Sequence, residues 1–280
     1  MTRLAKAWLA ASVGICAALG TTASGGAADL VRVGEGPFIT GGAFFIAREK
    51  GYFKKLNLEI ETKRFEDGAF AVPSMIAGEL ELTLMTANAS LFNSVAKGAP
   101  LVVVLDRGHN RPGFGYTVIN VTQALHDQGV RAAGDFAKLK GKRFGVTALG
   151  SINQYTAAQA LLKAGLDPAK DVQWIVNVPQ PDLMRMLGQN QVDATDLAYQ
   201  FGFFAQNTAL NKPELVRAIA PHWSYIADDG LPLVDSIMEM QDFWSGKYFN
   251  FVEKKVPREQ LFDLNVAKEA KARLEKEKPF

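Results

Sequence analysis

The stretch FITGGAFFIAREKGYFKKLNLEIE, residues 38–61, decides the predicted fold. Its apolar residues recur at helical spacing as far as Gly51, where the predicted helix ends, and LNLEIE then alternates at the period of a strand. A strand-like run, LVRVGEG, lies just before it at residues 30–36. The stretch therefore predicts a strand–helix–strand unit in which two glycines stand at the entrance to the helix.

The same alternation continues along most of the chain. Helix-like runs separate the strand-like runs, and the longest predicted helix covers residues 151–164. Alternation of this kind is typical of parallel α/β sheets with helices on both faces. The strand-like runs lie at 30–36, 56–65, 80–86, 101–106, 116–120, 142–148, 171–178 and 191–198, and the run LVVVLD at 101–106 is apolar enough for a strand buried on both faces.

A polar segment divides this pattern into two units. RGHNRPGFG, residues 107–115, is rich in glycine and charge, which is typical of a crossing between domains. We predict a first α/β lobe at 29–107, a hinge crossing at 108–115 and a second α/β lobe at 116–205. Residues 206–280 show helical patterns, ending in a charged helix whose polar face we expect to be solvated.

Residues 1–28 have the pattern of a secretory signal peptide. Arg3 and Lys6 precede the apolar run AWLAASVGICAALG, which is too short to span a bilayer, and a stretch of small residues follows it. We predict cleavage after Ala28 and export to the periplasm.

Composition excludes several classes of function. Cys16 is the only cysteine and lies in the leader, so the exported chain would carry no disulfide, thiolate nucleophile or cysteine metal site. Two of the 31 basic residues also lie in the leader, which leaves 29 basic residues against 29 acidic ones. This balance gives no reason to expect binding to nucleic acid or to an anionic membrane.

Three strand-to-helix corners are candidate ligand-binding positions, because ligands of parallel α/β sheets collect where strand ends meet helix N-termini that favour anions. The first corner is the glycine pair. The other two share the pattern T-A-x-x-S, at 86–90 and 147–151, and the serine of each is predicted to cap a helix. These glycines and serines would equally serve turn and cap geometry alone. The predicted ligand-binding residues, at the corners and beside them, are Phe38, Thr40, Gly41, Gly42, Asn88, Ser90, Arg111, Gly150, Ser151, Asn153 and Tyr199.

No catalytic or metal-binding set emerges from the sequence. His109, His126 and His222 are scattered and lack metal-ligand spacing, and Asp193 and Asp196 have no identifiable partner base. Either Arg107 or Arg111 could neutralise an anion, with a surface role as the alternative. We therefore predict no enzyme activity, no metal and no cofactor.

Four separated motifs resemble the periplasmic solute-binding proteins of the nitrate/sulfonate/taurine and thiamine-precursor class, which serve ATP-binding-cassette (ABC) importers. They are AFFIAREKGYFKKLNLEIE, AVPSMIAGELELTL, LKGKRFGV…GS and GQNQVDATDL, in the order of that class, and DFWSGKYF…KKVPREQLFDLNVAKEA is similar to its C-terminal tail. The resemblance implies a two-lobed, type II-like periplasmic-binding-protein fold with a hinge, and C-terminal helices packed on the first lobe. It also implies a monomer that captures a solute between its lobes and delivers it to a membrane permease with its ATPase subunit.

Two departures from the class pattern affect what the resemblance implies. In that class a tryptophan, a glutamate and a proline often follow the V-D-A strand, but this chain has DLAYQFGF at residues 196–203. Which ligand contacts this stretch would make is therefore left open. FFAQNTALNKPEL, residues 203–215, joins two motifs almost directly, as though a strand and helices were missing. This shortening predicts an exposed sheet edge and the loss of the return crossing to the first lobe.

The corners suggest the chemistry of the ligand. Helix N-termini suit an anionic group, and Phe38, Phe44, Tyr155 and Tyr199 could stack on an alkyl or aromatic body. We expect a small anionic organic solute, a sulfonate or a carboxylate. The alternatives are a thiamine-pyrimidine-precursor binding or biosynthetic enzyme-like protein, a sensory solute receptor, and a chain whose shortening has abolished binding.

Overall fold

The computed structural model describes residues 27–36, 39–115, 117–198, 225–227 and 229–277. The predictions for Phe38, Tyr199 and His222, for the leader up to residue 26 and for the helical pattern at 206–224 lie outside the described residues. Among the helices of the described ranges, none is long and apolar enough to cross a membrane.

The first lobe is built on a three-stranded parallel sheet. Its strands are β1 (Asp29–Glu35), β2 (Leu58–Arg64) and β3 (Leu82–Thr83), in the order β2-β1-β3. Gly51 has a φ of 71°, the left-handed conformation that ends a helix, so the first helix ends where the sequence predicts. The helices of this lobe are α1 (Gly42–Glu49), α2 (Tyr52–Lys55), α3 (Val72–Ile76) and α4 (Ala89–Ala96).

The second lobe is built on a four-stranded sheet in the order β4-β7-β5-β6. Its strands are β4 (Thr117–Val121), β5 (Arg143–Gly145), β6 (Gln173–Ile175) and β7 (Ala194–Ala198), and its helices are α5 (Gln123–Asp127), α6 (Ile152–Lys163) and α7 (Gln180–Gly188). Buried residues of α6 and β5, among them Phe144, Ala157 and Leu161, form the core of this lobe with Leu139.

The direction of β4 differs from the prediction of parallel sheets. β5 pairs in parallel with both β6 and β7, but β4 runs antiparallel to β7, from Thr117 opposite Ala198 to Val121 opposite Ala194. The chain enters β4 from the crossing segment and not through a helix packed on the same sheet. The right-handed crossover that aligns parallel neighbours therefore does not apply to this strand.

The C-terminal helices complete the core of the first lobe. They are α8 (Val234–Trp244), α9 (Arg258–Leu261) and α10 (Asn265–Glu277). Trp244 and Leu261 are fully buried and belong to the same apolar cluster as Phe92 and Val95 of α4. The boundaries given above for the lobes and the C-terminal segment stay a prediction.

The prediction of a buried strand at 101–106 is wrong. In place of a sheet ladder, this run makes an isolated bridge between Val103 and Phe262, with Val103 N–H donating to the Leu261 carbonyl over 2.8 Å. Val102 and Leu105 are about half exposed. Val103 pairs with the C-terminal segment, and that contact takes the backbone N–H and carbonyl that this residue would have used in a sheet.

The part of the chain described after residue 224 pairs with the predicted hinge crossing, and the predicted loss of a return strand concerns residues outside the described ranges. His109 and Tyr225 form an antiparallel bridge with N–H···O distances of 2.8 and 3.1 Å. Asp106 N–H donates to the Gly230 carbonyl over 2.8 Å, and the Asp106 carboxylate accepts from Ala227 N–H over 3.0 Å. Residues 106–109 therefore lie side by side with residues 225–227 and 229–230, in antiparallel directions at His109 and Tyr225. This pairing satisfies the backbone N–H and carbonyl groups of His109 and Tyr225.

Candidate functional site

Polar residues follow each strand of the first sheet at one edge. Thr40 follows β1, Asp67 follows β2 and Asn88 follows β3, and the carboxyl ends of parallel strands share an edge. Thr40 is 5% exposed, and its hydroxyl has no hydrogen-bond partner within the ranges that the structure describes. Asp67 caps a 3-10 turn at Gly68–Ala71, accepting from Ala69 N–H over 2.9 Å. This edge therefore holds buried hydrogen-bonding groups, as a ligand site requires.

The two lobes contact each other at these strand ends. The Thr147 hydroxyl, after β5, donates to the Asp67 carboxylate over 2.8 Å. Ala89 N–H, at the start of α4, donates to the Gly150 carbonyl over 3.1 Å. Gly150 has a φ of 68°, and a Cβ placed on it would lie 2.5 Å from the Cβ of Ala89. The N-termini of α4 and α6 therefore face each other across one closely packed interface, which we call the lobe interface.

Capping of α4 differs from the prediction. The N-cap is Asn88, whose side-chain oxygen accepts from Leu91 N–H over 2.9 Å while its amide donates to the Thr86 carbonyl over 3.0 Å. Ser90, predicted as the cap, lies in the first turn of the helix instead. Both residue types can cap, and the end of the preceding segment places Asn88 first. Both of these Asn88 hydrogen bonds lie within its own lobe.

Capping of α6 follows the prediction. Ser151 is fully buried at the N-cap and accepts from Gln154 N–H over 3.3 Å. The Gln154 side-chain oxygen accepts from Gly150 N–H over 2.8 Å. Asn153 is 2% exposed and lies between Thr147 and Asp196. These hydrogen bonds therefore stabilise the corner itself, and a solute would have to exchange some of them for its own.

Asp196 is a buried carboxyl that the sequence did not single out as a site residue. It accepts from the Asn153 amide over 3.2 Å, from the Thr117 hydroxyl over 3.5 Å and from the Thr156 hydroxyl. Burial raises the pKa of Asp196 to about 7, against the opposing effect of these three donors. A charged residue inside the apolar run VDATDLA was the signal that could have identified it.

Burial also raises the pKa of Asp67 above the ordinary carboxyl value. Hydrogen bonds from Ala69 N–H and from Thr147 oppose the shift, and so does the positive charge of Arg107. Of the two arginines considered in the sequence, Arg107 is thus the one whose charge acts at the lobe interface. Arg111 lies elsewhere, with its guanidinium carbon 3.4 Å from the centroid of the Tyr225 ring.

The two glycines of the first corner differ in how closely they are packed. Gly41 is buried, and a Cβ placed on it would lie 3.0 Å from the Phe45 ring, whereas nothing stands within 4 Å of a Cβ on Gly42. Gly41 therefore has a packing role, and Gly42 leaves open space at the entrance to α1.

Two cavities lie near these residues. One of about 540 Å³ adjoins the lobe interface, and of the predicted site residues it is Ser90 that lines it, with Lys97 and Leu149 among its neighbours. A larger one of about 1230 Å³ lies in the second lobe beside Thr156 and Asp196. In the portion of the chain with described coordinates, no group of three or more His, Cys, Asp or Glu side chains could hold a metal ion.

Comparison with known proteins identifies a family and a fold for this chain. A family model described as the NMT1-like family matches residues 27–197. A curated Haemophilus influenzae protein named for thiamine biosynthesis is 29% identical over 212 residues, which cover 76% of this chain and 62% of that protein. The chain therefore spans less than two thirds of the length of that relative.

Two solved structures show the same fold. The ligand-binding component of an ABC-type import system from Staphylococcus aureus, solved with zinc bound, has a TM-score of 0.64 at 10% identity, covering 86% of this chain and 99% of its own. The periplasmic nitrate-binding protein NrtA from Synechocystis PCC 6803 has a TM-score of 0.53 at 14% identity, covering 84% of this chain and 69% of its own. At such identities the likeness shows the fold alone, and it confirms the predicted two-lobed α/β architecture.

Proposed function

The chain belongs to the NMT1-like family, and from that premise we propose that it is the solute-binding component of an ABC importer. It captures a small organic solute between its lobes, in the periplasm, and delivers it to a membrane permease with an ATPase subunit. The observation that carries the proposal is the lobe interface, where Thr147 meets Asp67 and Gly150 meets Ala89. Strand ends and helix N-termini converge there, as they do at ligand sites of open α/β sheets.

The proposed solute carries a sulfonate or carboxylate group. The N-termini of α4 and α6 both face the interface, and their aligned peptide dipoles favour negative charge. The unpartnered Thr40 hydroxyl, which has no hydrogen bond to any described residue, offers a donor at the same edge of the first sheet. Asp67 disfavours an anion placed directly beside it while it is ionised, so the anionic end of the solute belongs at the helix N-termini, away from the Asp67 carboxylate.

A thiamine precursor is the second candidate solute. The name of the Haemophilus influenzae relative supports it, and a carboxyl such as Asp67 could bind the amino group of a pyrimidine. The same name supports an enzyme-like role as the alternative to binding alone. Incubation with aminopyrimidines followed by mass spectrometry separates the two roles, because a receptor returns its solute unchanged and an enzyme releases a product.

Thermal unfolding with a solute panel tests the proposed function. Sulfonates, carboxylates, nitrate and aminopyrimidines would each be added to the full chain. A solute at 100 times its Kd stabilises the folded state by about 2.7 kcal/mol, which corresponds to a rise in Tm of about 5–11 °C for a protein of this size. A rise with sulfonates or carboxylates supports the proposal. If no class raises the Tm, the chain is not a receptor for these solutes.

Ser151→Ala is expected to weaken solute binding by about tenfold, or 1.4 kcal/mol. Ser151 caps α6 at the lobe interface, and loss of the cap frees the first turn that would face the solute. Thr122→Ala is the matched control, since Thr122 caps α5 of the same lobe through Leu125 N–H over 3.4 Å. Each variant should lose about 1 kcal/mol of stability.

Isothermal titration, with unfolding measured in parallel, separates affinity from stability in these variants. Only Ser151→Ala should lose affinity. The double variant Ser151→Ala/Asn153→Ala should lose more, because Asn153 orients the same corner. Unchanged affinity in the double variant would remove this corner from the site.

A further inference from the structure

A continuous chain of buried hydrogen bonds crosses the lobe interface. It runs from Asp67 of the first lobe through the Thr147 hydroxyl and the Asn153 side chain to Asp196, over 2.8, 3.3 and 3.2 Å. Each of these four residues is at most 4% exposed. The first contact joins the two lobes, and the other two lie within the second lobe. Separation of the lobes would therefore break this chain at one point, between Asp67 and Thr147.

This network of hydrogen bonds has one proton too few to satisfy all of its acceptors. The Asn153 amide donates to Asp196, so its oxygen faces Thr147 as an acceptor. The single hydroxyl proton of Thr147 can satisfy either Asp67 or the Asn153 oxygen, but not both. If Asp67 carries a proton, it donates to the Thr147 oxygen, and Thr147 then donates to Asn153. One added proton therefore satisfies every acceptor along the chain, and a buried acceptor left unpaired is costly.

We propose that Asp67 and Thr147 form a proton-linked latch that holds the lobes together in the solute-free protein. A proton taken up from solvent by the Asp67 carboxylate strengthens the closed state. The latch rests on the proposed function, because it concerns the closure of the same two lobes on a solute. It gives Asp67 a role in positioning the lobes that none of the sequence motifs assigned.

The electrostatics of Asp67 agree with this geometry. Burial in the closed protein raises its pKa, and Arg107, from the segment after α4, is the charged group that acts against that shift. In separated lobes water would solvate the carboxylate, and its pKa would return towards the ordinary value. The closed state therefore binds the proton more tightly than the open state. Closure is favoured as the pH falls, and this contribution is lost as the pH rises through the closed-state pKa of Asp67.

Asp196 lies at the far end of this hydrogen-bond network, and lobe separation does not break its own contacts. Its partners Thr117, Asn153 and Thr156 all belong to the second lobe, so lobe separation leaves it buried. The cavity beside Asp196 is also lined by three other charged or titratable side chains: His126, Arg131 and Arg185. Because its pKa of about 7 lies in the working range, the experiment needs a variant that removes the Asp67 titration alone.

The distance between the lobes in the solute-free protein is the direct readout. Spin labels on Glu59→Cys in the first lobe and Lys163→Cys in the second, both outside the buried core, would be placed in a Cys16→Ser background. Pulsed electron–electron double resonance at several pH values, from about pH 4.5, just above the ordinary Asp pKa of about 3.9, to about pH 8, then reports the closed fraction. We expect the closed-to-open ratio to rise as the pH falls, by at most about tenfold per pH unit.

Four variants make the test specific. Asp67→Asn keeps a donor towards Thr147 without titrating, so its closed fraction should no longer depend on pH. Thr147→Val should shift the distances to longer values at every pH, and Thr147→Ser should restore the wild-type response. Asp193→Asn is the control for a carboxylate outside the latch, since Asp193 pairs with Arg143 within the second lobe over 2.9 Å, and it should respond like the wild type.

Two results would overturn the latch. One is a pH response of Asp67→Asn equal to that of the wild type, and the other is a wild-type distance that does not change with pH. Circular dichroism melts of each variant establish that it is folded before its distances are compared. The measurement uses no solute, so its outcome is independent of the solute panel. A failed latch and a failed receptor are therefore distinguishable.

Discussion

Gly150→Ala is expected to weaken solute binding by tenfold or more, which is at least about 1.4 kcal/mol. The new Cβ would lie 2.5 Å from the Cβ of Ala89, a separation that real Cβ atoms do not reach. Ala89 is 5% exposed at the start of α4, so it cannot move aside without shifting the helix. The lobes must separate to relieve the contact, and the hydrogen bond from Ala89 N–H to Gly150 is then lost.

Gly165→Ala is the matched control for this variant. Gly165 follows the same helix α6 and has a φ of 79°, so alanine there carries a similar backbone strain of about 1–2 kcal/mol. Nothing lies within 4 Å of a Cβ placed on Gly165, so the lobes are not pushed apart. Titration calorimetry should show reduced affinity for Gly150→Ala alone. Ala89→Gly in the Gly150→Ala background removes the opposing methyl group and should recover part of the lost affinity.

Equal affinities for Gly150→Ala and Gly165→Ala would contradict this prediction. Backbone strain would then explain the whole effect, and close approach of α4 and α6 would not be required for binding. Failure of the Ala89→Gly rescue would lead to the same conclusion by an independent route, because the two methyl groups were the only atoms changed.

Trp244→Ala is expected to lower the free energy of unfolding by about 3–5 kcal/mol. Trp244 is fully buried, and four rings surround it: Phe243, Phe249, Phe251 and Tyr155 have centroids 4.9, 5.3, 5.3 and 6.1 Å away. The substitution leaves a cavity where α8, the C-terminal segment and α6 meet. At about 2–4 °C per kcal/mol, the Tm should fall by roughly 6–20 °C.

Urea unfolding followed by circular dichroism measures this loss. Trp244→Phe should cost less, because it fills part of the cavity and removes an indole N–H that has no partner among the described residues. Leu274→Ala, at a position about half exposed in α10, is the surface control and should change stability by less than about 0.5 kcal/mol. A loss for Trp244→Ala no larger than that of Leu274→Ala would mean that the C-terminal helices do not stabilise the first lobe.

Local sequence patterns identify most of the helices and several of their ends. Ser151 is predictable as the cap of α6 and Gly51 as the end of α1, because capping and left-handed glycine conformations depend on residues next to one another in the chain. The prediction for Ser90 is wrong for the opposite reason. Asn88 and Ser90 can both cap, and the choice depends on where the preceding segment ends, which is set by its packing.

Only part of the candidate site can be predicted from the sequence. The corners at Gly150 and Ser151 can be found because strand-to-helix transitions are visible as changes of period. Asp67 and Asp196 are the buried carboxyls of the network, and the sequence does not identify them as such, because a lone acid gives no sign of the partners that folding will bring to it. The pairing of Asp67 with Thr147 joins residues 80 positions apart.

The sequence by itself determined the two-lobed α/β architecture, since hydrophobic periodicity sets which segments can bury a face in a sheet or a helix. Only the tertiary structure decided the antiparallel direction of β4, the packing of LVVVLD against Leu261 and Phe262 instead of in a sheet, and the return pairing of Tyr225 with His109. Each of these depends on which distant segment satisfies the backbone groups of an apolar run. Local periodicity shows that such a run must be buried, and the rest of the fold selects its partner.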